Sequence, residues 1–199
     1  MSTLTNALDR IFNWLQNHKP EFSTSFLPGL TLAEIEEKLQ ALPFRLPQEV
    51  YDLYQWRNGM QNDEMIFVYH YFLTLDQAIE LALMYPDNYG LNSDFFKQHR
   101  QAEGYPSYVF PLFEFEGEYF AVGANTTELE TYPVFHIHHG ETFAFTSLTN
   151  MILTIAECYE TGVYTTTPDG DFELDYQQFG AIRRKYNPGA AELIYADEK

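Results

Sequence analysis

The chain has 199 residues, of which 29 are acidic and 11 are Lys or Arg, and its formal net charge is −18. This length suits one domain, and a composition that is 45% hydrophobic and 17% aromatic excludes disorder over most of the chain. The charge argues against nucleic acid and anionic membranes as partners, because both attract Lys and Arg.

The charge is also unevenly distributed. No Lys or Arg lies between Arg100 and Arg183, whereas acidic residues occur there from Glu103 to Asp175. Such a surface attracts a basic protein and speeds its association. Acidic surfaces also keep proteins in solution, so charge alone leaves both explanations open.

The single cysteine, Cys158, cannot form an internal disulfide, so nothing requires an oxidising compartment. The N-terminal sequence lacks the basic head and apolar run of a signal peptide, and no apolar stretch approaches the roughly 18 residues that span a bilayer. We therefore expect a cytoplasmic protein. Cys158 follows Glu157, whose charge disfavours the thiolate, so we expect a packing residue rather than a nucleophile.

The chain opens with a predicted amphipathic helix. Apolar residues at helical spacing place this helix from Leu4 to about Asn17. Pro20 should end it, and residues 21–30 then read as a loop.

Two further helices follow in close succession. Thr31 and Glu34 form a capping box that opens the second helix. Pro47 suits the first turn of the third helix, where its missing N–H costs nothing, and Asn58-Gly59 supplies a stop signal.

The middle of the chain predicts one strand and one helix. Residues 65–72 are rich in β-branched and aromatic side chains, which favours a strand covered on both faces. Thr74 and Gln77 form a second capping box and begin a helix. Residues 86–106 are polar and irregular, which indicates a surface loop.

The clearest β signal is a hairpin at residues 108–123. Glu114 and Glu116 alternate with phenylalanines, and Gly117 turns the chain. Glutamates that alternate in this way are typical of the solvated face of a sheet.

The last third predicts a strand at residues 133–138 and a helix that begins at Thr146 or Ser147 and ends at Gly162. A final helix is predicted from Asp175 to Tyr186. The order of elements indicates a single α+β domain with a mostly antiparallel sheet flanked by helices.

Several of these motifs occur in the order of a known family. Residues 31–36, 46–54 and Asn58-Gly59 resemble the opening of the SUKH superfamily, which includes fungal Smi/Knr-type cell-wall regulators and many bacterial immunity proteins. The later segments that agree in order are residues 72–78, 111–120, 134–137 and 147–159. The resemblance covers about Leu32 to Glu160 and places a SUKH-like domain at 31–162. An N-terminal helix and loop at 1–30 would pack on its core, and 163–199 would form a C-terminal helical extension and tail.

The resemblance implies a binding domain without known catalytic residues or a cofactor. Bacterial members often neutralise a toxin, frequently a nuclease, by binding it, and nucleases tend to be basic where they hold phosphate. We therefore expect a non-enzymatic, immunity-type protein whose partner is a basic toxin. The alternative is a regulatory or scaffold protein of the Smi/Knr type in signalling or cell-envelope maintenance.

The candidate partner contacts are the hairpin glutamates, two later glutamates and the end of the third helix: Glu114, Glu116, Glu118, Glu128, Glu130, Trp56 and Arg57. Trp56 lies off the buried stripe of its helix, so it either packs on the following strand or serves as an exposed anchor for a partner.

A third hypothesis is a small metal-dependent hydrolase. His136 and His138 lie on one face of a predicted strand, and Glu114, Glu116 or Glu118 could supply a further ligand. The alternative is that both histidines lie on a solvated acidic face that favours their charged form.

Overall fold

The structure is a computed structural model of the chain, and it describes residues 2–61, 65, 67, 69–84, 91–92, 106–127, 130–138, 141–166 and 172–189. The helices are α1 Thr3–His18, α2 Pro20–Ser25, α3 Leu32–Leu39, α4 Gln48–Trp56, α5 Leu75–Leu83, α6 Leu148–Glu160 and α7 Tyr176–Tyr186. The strands are β1 Phe26–Pro28, β2 Arg57–Met60, β3 Tyr71–Phe72, β4 Tyr108–Phe115, β5 Glu118–Ala124, β6 Val134–Ile137, β7 Glu141–Phe145, β8 Tyr164–Thr166 and β9 Phe172–Leu174.

A five-stranded antiparallel sheet organises the fold. Its strands follow the order β3-β4-β5-β6-β7, and two-stranded sheets pair β1 with β2 and β8 with β9. Helices precede and follow the large sheet along the chain. The predicted α+β class with a mostly antiparallel sheet is therefore confirmed.

The two faces of the large sheet have different surroundings. The face that we call inner carries Phe113, Phe120 and Phe145, which join the main core together with Leu8 of α1 and Tyr54 of α4. The outer face carries a smaller apolar cluster that consists of Leu91, Val109, Ala121, Phe135 and Ile137.

The turn between β4 and β5 sets the register of the central hairpin. Glu116 and Gly117 have φ values of 47° and 87°, and a two-residue turn with positive φ at both positions matches the twist of antiparallel strands. Phe115 therefore lies opposite Glu118, and Glu114 lies opposite Tyr119.

Both predicted capping boxes are present. Thr31 Oγ1 accepts from Glu34 N at 3.3 Å while Glu34 accepts from Thr31 N at 2.8 Å. The same exchange joins Thr74 and Gln77 at 3.2 and 2.9 Å. These local signals fixed the starts of α3 and α5 correctly, because a capping box involves only residues three apart.

Three local predictions were wrong. Pro20 begins the short helix α2 rather than a loop, since a proline suits the first turn of a helix. Helix α4 ends at Trp56, before Asn58-Gly59, because the chain leaves it directly as strand β2. The strand expected at 65–72 comprises only Tyr71–Phe72 within the described residues.

The terminal helices pack on the same core as the sheet. Helix α1 buries Leu4, Leu8, Ile11 and Leu15 there. After α7, the buried Asn187 side chain accepts from Thr146 N at 2.9 Å and donates to Thr154 Oγ1 at 3.1 Å. The domain boundaries at residues 31 and 162 stay a prediction.

Most of the loop expected at 86–106 and residues 190–199 of the expected tail lie outside the described residues. None of the described helices combines the length and the hydropathy that crossing a bilayer requires.

The Cys158 thiol is buried in α6, and burial, followed by the charge of Glu157, raises its pKa to about 12. Cys158 is therefore a packing residue, as the sequence predicted.

Candidate functional site

A row of side chains crosses the outer face of the five-stranded sheet close to two of its hairpin turns. Tyr71 pairs with Glu114, Glu114 with Tyr119, Tyr119 with Ile137, and Ile137 with Glu141. Residues directly opposite each other on neighbouring strands share a face, so these five positions form one row, which we call the outer row. The Tyr71 side chain, at the end of this row, also packs against the main core. Ile137 is buried and the other four are partly exposed.

The outer row places the Glu114 carboxylate beside the Tyr119 ring. Burial raises the pKa of Tyr119, and the neighbouring Glu114 carboxylate raises it further. Glu114 Oε1 accepts a hydrogen bond from Gly117 N at 2.9 Å, which holds the carboxylate at the turn. Glu116 is exposed beside it. Neither Glu114 nor Glu116 forms an ion pair with a described Lys or Arg.

Glu118 faces the other way. It lies opposite Phe115, so it points to the inner face, whereas Glu114 points to the outer face. Glu118 Oε2 lies 3.3 Å from His136 Nε2, and Glu118 Oε1 contacts His138 Nδ1. The three hairpin glutamates that were expected to contact a partner therefore do not share one face, because the two-residue turn places Glu114 and Glu118 on opposite faces.

A histidine cluster surrounds Glu118 on the inner face. One ligand atom from each of His70, Glu118 and His136 lies within 4.8 Å of the other two. Burial lowers the pKa of His136, and the nearby Glu118 carboxylate opposes this shift. These three residues could hold a metal ion. The sequence had suggested His136 and His138 as ligands, and the structure adds His70.

The later glutamates do not extend the outer row. Glu130 is exposed in the connection that follows β5, whereas the Glu116 turn precedes β5. Seven residues of strand separate the two ends by roughly 20 Å. Glu128 lies outside the described residues.

Trp56 and Arg57 belong to the packing between α1 and the first sheet. Trp56 is only 8% exposed, and its Nε1–H donates to Asp9 Oδ1 at 2.9 Å. Its ring packs edge-on against Phe12 and Phe26, and the guanidinium of Arg57, the first residue of β2, lies over it at 5.3 Å. Arg57 lies over the Phe12 ring at 5.0 Å. Trp56 therefore presents too little surface to anchor a partner.

Sequence reasoning missed Tyr71, Tyr119 and Glu141 in the outer row, and His70 in the histidine cluster. The pairing of Glu114 with Tyr119 follows from a two-residue turn at Glu116-Gly117, so that signal was available. No such signal exists for Tyr71 and His70, because the residues that they lie beside are far away in the sequence, and Glu141 lies on strand β7, which was not predicted.

A comparison with protein families identifies the fold family. The family model that is described as SMI1 / KNR4 family (SUKH-1) matches residues 29–154, which include the outer row and the histidine cluster. No curated protein matches the chain significantly. Because the match covers more than half of the sequence, the chain belongs to the SMI1 / KNR4 family (SUKH-1).

Proposed function

We propose that the chain is a non-enzymatic binding module that contacts a basic protein through the outer row and Glu116, and that this partner is a toxin which binding neutralises. Membership of the SMI1 / KNR4 family is consistent with an immunity-type or Smi/Knr-type protein. The observation that carries the proposal is the outer row, where two glutamates alternate with two tyrosines and an isoleucine.

The composition of the outer row suits protein recognition. Tyrosines supply large contact areas and are frequent among the residues that dominate binding energy. Carboxylates beside them select a partner that presents Lys or Arg. The apolar cluster on the same face is buried, but the partly exposed Phe143 packs against it and would extend the contact.

The net charge of −18 supports the same partner chemistry. A strongly negative protein attracts a basic one over distances up to the Debye length, about 10 Å at 0.1 M salt. Association should therefore slow as the salt concentration rises, because salt screens this attraction.

The first experiment identifies the partner and tests the surface. The full chain is immobilised and exposed at low salt to native lysate from the source organism. The outer-row variant removes three negative charges from the proposed surface through Glu114→Gln, Glu116→Gln and Glu141→Gln. The control is Glu36→Gln, Glu37→Gln, Glu80→Gln, which alters the net charge equally at exposed positions on α3 and α5. We expect the wild type and the control to capture a basic protein. Its association rate with the outer-row variant should be at least about tenfold lower.

The second experiment tests neutralisation. The captured protein is expressed alone and together with each form of the chain, and growth of the host is measured. Rescue by the wild type and the control, but not by the outer-row variant, supports the proposal. Equal binding by the wild type and both variants would show that the partner does not bind through the outer row and Glu116. A non-toxic partner with a signalling or envelope role would support the regulatory alternative instead.

A further inference from the structure

The histidine cluster on the inner face is built from three separate segments. His70 precedes β3, Glu118 begins β5 and His136 lies on β6. A tight turn fixes His70, since the backbones of Phe67 and His70 exchange hydrogen bonds of 3.1 and 2.9 Å. The three side chains therefore converge through the fold and not through a local motif.

We propose that His70, Glu118 and His136 bind a zinc ion. Zinc lies about 2.0–2.1 Å from nitrogen and oxygen ligands in a tetrahedral arrangement, so two ligand atoms on one ion are about 3.3 Å apart. His136 Nε2 and Glu118 Oε2 are separated by 3.3 Å. The ligand atoms of all three residues lie within 4.8 Å of one another, so closing the site requires them to approach by at most about 1.5 Å.

The donor set selects the metal. Two imidazoles and one carboxylate suit zinc, whereas magnesium and calcium prefer oxygen ligands alone. Three protein ligands leave one position of a tetrahedral ion for water.

The surroundings of the three ligands hold them in place. The His70 and His136 rings pack against the Phe120 ring, with centroid distances of 4.6 and 5.0 Å. His138 Nδ1 contacts Glu118 Oε1, the carboxylate oxygen that does not face His136. Such contacts to the second atom of a ligand orient it toward a metal. His138 is thus a positioning residue for the site.

This inference is independent of the proposed toxin neutralisation, because zinc binding requires no partner. Glu118 would bind zinc, whereas Glu114 and Glu116 would contact the partner. A zinc ion there would link the start of β5, β6 and the turn before β3, so it should stabilise the folded chain.

The test uses the untagged full chain after treatment with a chelator. Zinc chloride is titrated against a chromogenic zinc chelator that competes for the ion, and thermal unfolding is followed with and without zinc. We expect one zinc ion per chain and a higher unfolding temperature with zinc, and no displacement by a large excess of magnesium.

Matched variants assign the binding to the cluster. Loss of a residue that merely orients a ligand weakens metal binding about 10- to 100-fold, so His138→Gln should reduce zinc affinity by about tenfold. His136→Gln and Glu118→Gln remove ligands and should each reduce it by more than about 100-fold. The exposed His18 on α1 is the control, and His18→Gln should bind zinc like the wild type.

His70 is only 2% exposed, so its replacement could disturb folding. The His136 and Glu118 variants therefore carry the test, and circular dichroism of their metal-free forms confirms that they fold. The proposal is overturned if the wild type binds no stoichiometric zinc, or if folded His136→Gln and Glu118→Gln both bind zinc with unchanged affinity.

Discussion

Consecutive residues on β5 meet different chemistry because their side chains alternate between the two faces of the sheet. Glu118 lies among histidines on the inner face, whereas Tyr119 lies beside Glu114 on the outer face. A shift of one residue in the strand pairing would exchange their positions. The turn at Glu116-Gly117 therefore decides which carboxylates a partner can reach and which ones the histidines bind.

Gly59 combines a left-handed backbone with too little room for a side chain. Its φ is +76°, and an added Cβ would lie 2.5 Å from Thr74 N and 2.7 Å from Leu73 C. Gly59→Ala should therefore destabilise the protein by at least about 2 kcal/mol, since left-handed backbone alone costs about 1–2 kcal/mol outside glycine. Urea unfolding followed by circular dichroism measures the loss.

Gly117 is the matched control for this substitution. Its φ is +87°, but an added Cβ would meet no atom within 4 Å. Gly117→Ala should therefore show only the backbone cost of about 1–2 kcal/mol. Equal losses for the two variants would show that the close approach to Leu73 and Thr74 does not matter for stability.

At the scale of elements, Glu49 joins the start of α4 to the start of α6. Its carboxylate accepts from Thr149 N at 2.8 Å and from Thr131 Oγ1 at 2.7 Å. Thr149 N is one of the backbone donors that a helix N-terminus leaves unpaired, and a negative charge is favourable there. Glu49→Ala should therefore cost about 1–2 kcal/mol, as the loss of other helix caps does.

Chemical denaturation of Glu49→Ala and Glu36→Ala tests this role. Glu36 is exposed on α3, so its replacement should change the free energy of unfolding by less than about 0.5 kcal/mol. A loss for Glu49→Ala no larger than that of the control would mean that the contact to α6 contributes nothing to stability.

Elements with local signals were predictable from the sequence. The apolar spacing of α1 and α6, the capping boxes of α3 and α5 and the alternation in β4 all involve residues within a few positions of one another. Strand β7 was missed, and among the described residues of the predicted strand at 65–72 only Tyr71–Phe72 form a strand. Strands gain their stability from neighbours that can be far away in sequence, so short ones leave weak local signals.

The site residues, too, were predictable only where their contacts are local in the sequence. Glu114 and Glu116 could be predicted because the hairpin is local. Tyr71 and Glu141 enter the outer row only through the order of strands in the sheet, and His70 reaches Glu118 only through the turn before β3. Trp56 was ambiguous because its hydrogen-bond partner, Asp9, lies on α1.

At the scale of the whole molecule, ion pairs link α6 to both terminal helices. Arg10 of α1 donates to both oxygens of Glu160 at 2.7 and 2.5 Å. Lys185 and Tyr186 of α7 donate to Glu157 Oε2 at 2.6 and 2.5 Å. These hydrogen bonds lower the pKa values of Glu160 and Glu157 in the folded protein. Docking of the terminal helices should therefore weaken in acid.

The contribution of Glu160 has a definite pH dependence. Its folded pKa lies below the ordinary value of 4.5, so its stabilisation is complete above that value and is lost as the pH falls through the folded pKa. The side chains of Arg10 and Glu160 are 37% and 42% exposed, so solvent screening limits the gain at pH 7 to below about 1 kcal/mol. Glu160→Gln should therefore be slightly less stable than the wild type at pH 7, and the difference should shrink from about pH 5 downward.

Urea unfolding of the wild type and Glu160→Gln between pH 7 and pH 3 measures this difference. Comparing the two proteins at each pH cancels most of the background, since acid also relieves the self-repulsion that a net charge of −18 creates. Glu36→Gln carries the same change in charge at an exposed position on α3, and its stability relative to the wild type should not show the same loss in acid. A Glu160→Gln difference that stays constant or grows as the pH falls would contradict a stabilising ion pair with Arg10. Docking of α1 would then rest on the burial of Leu4, Leu8, Ile11 and Leu15 and on the contacts of Asp9 and Phe12 with Trp56.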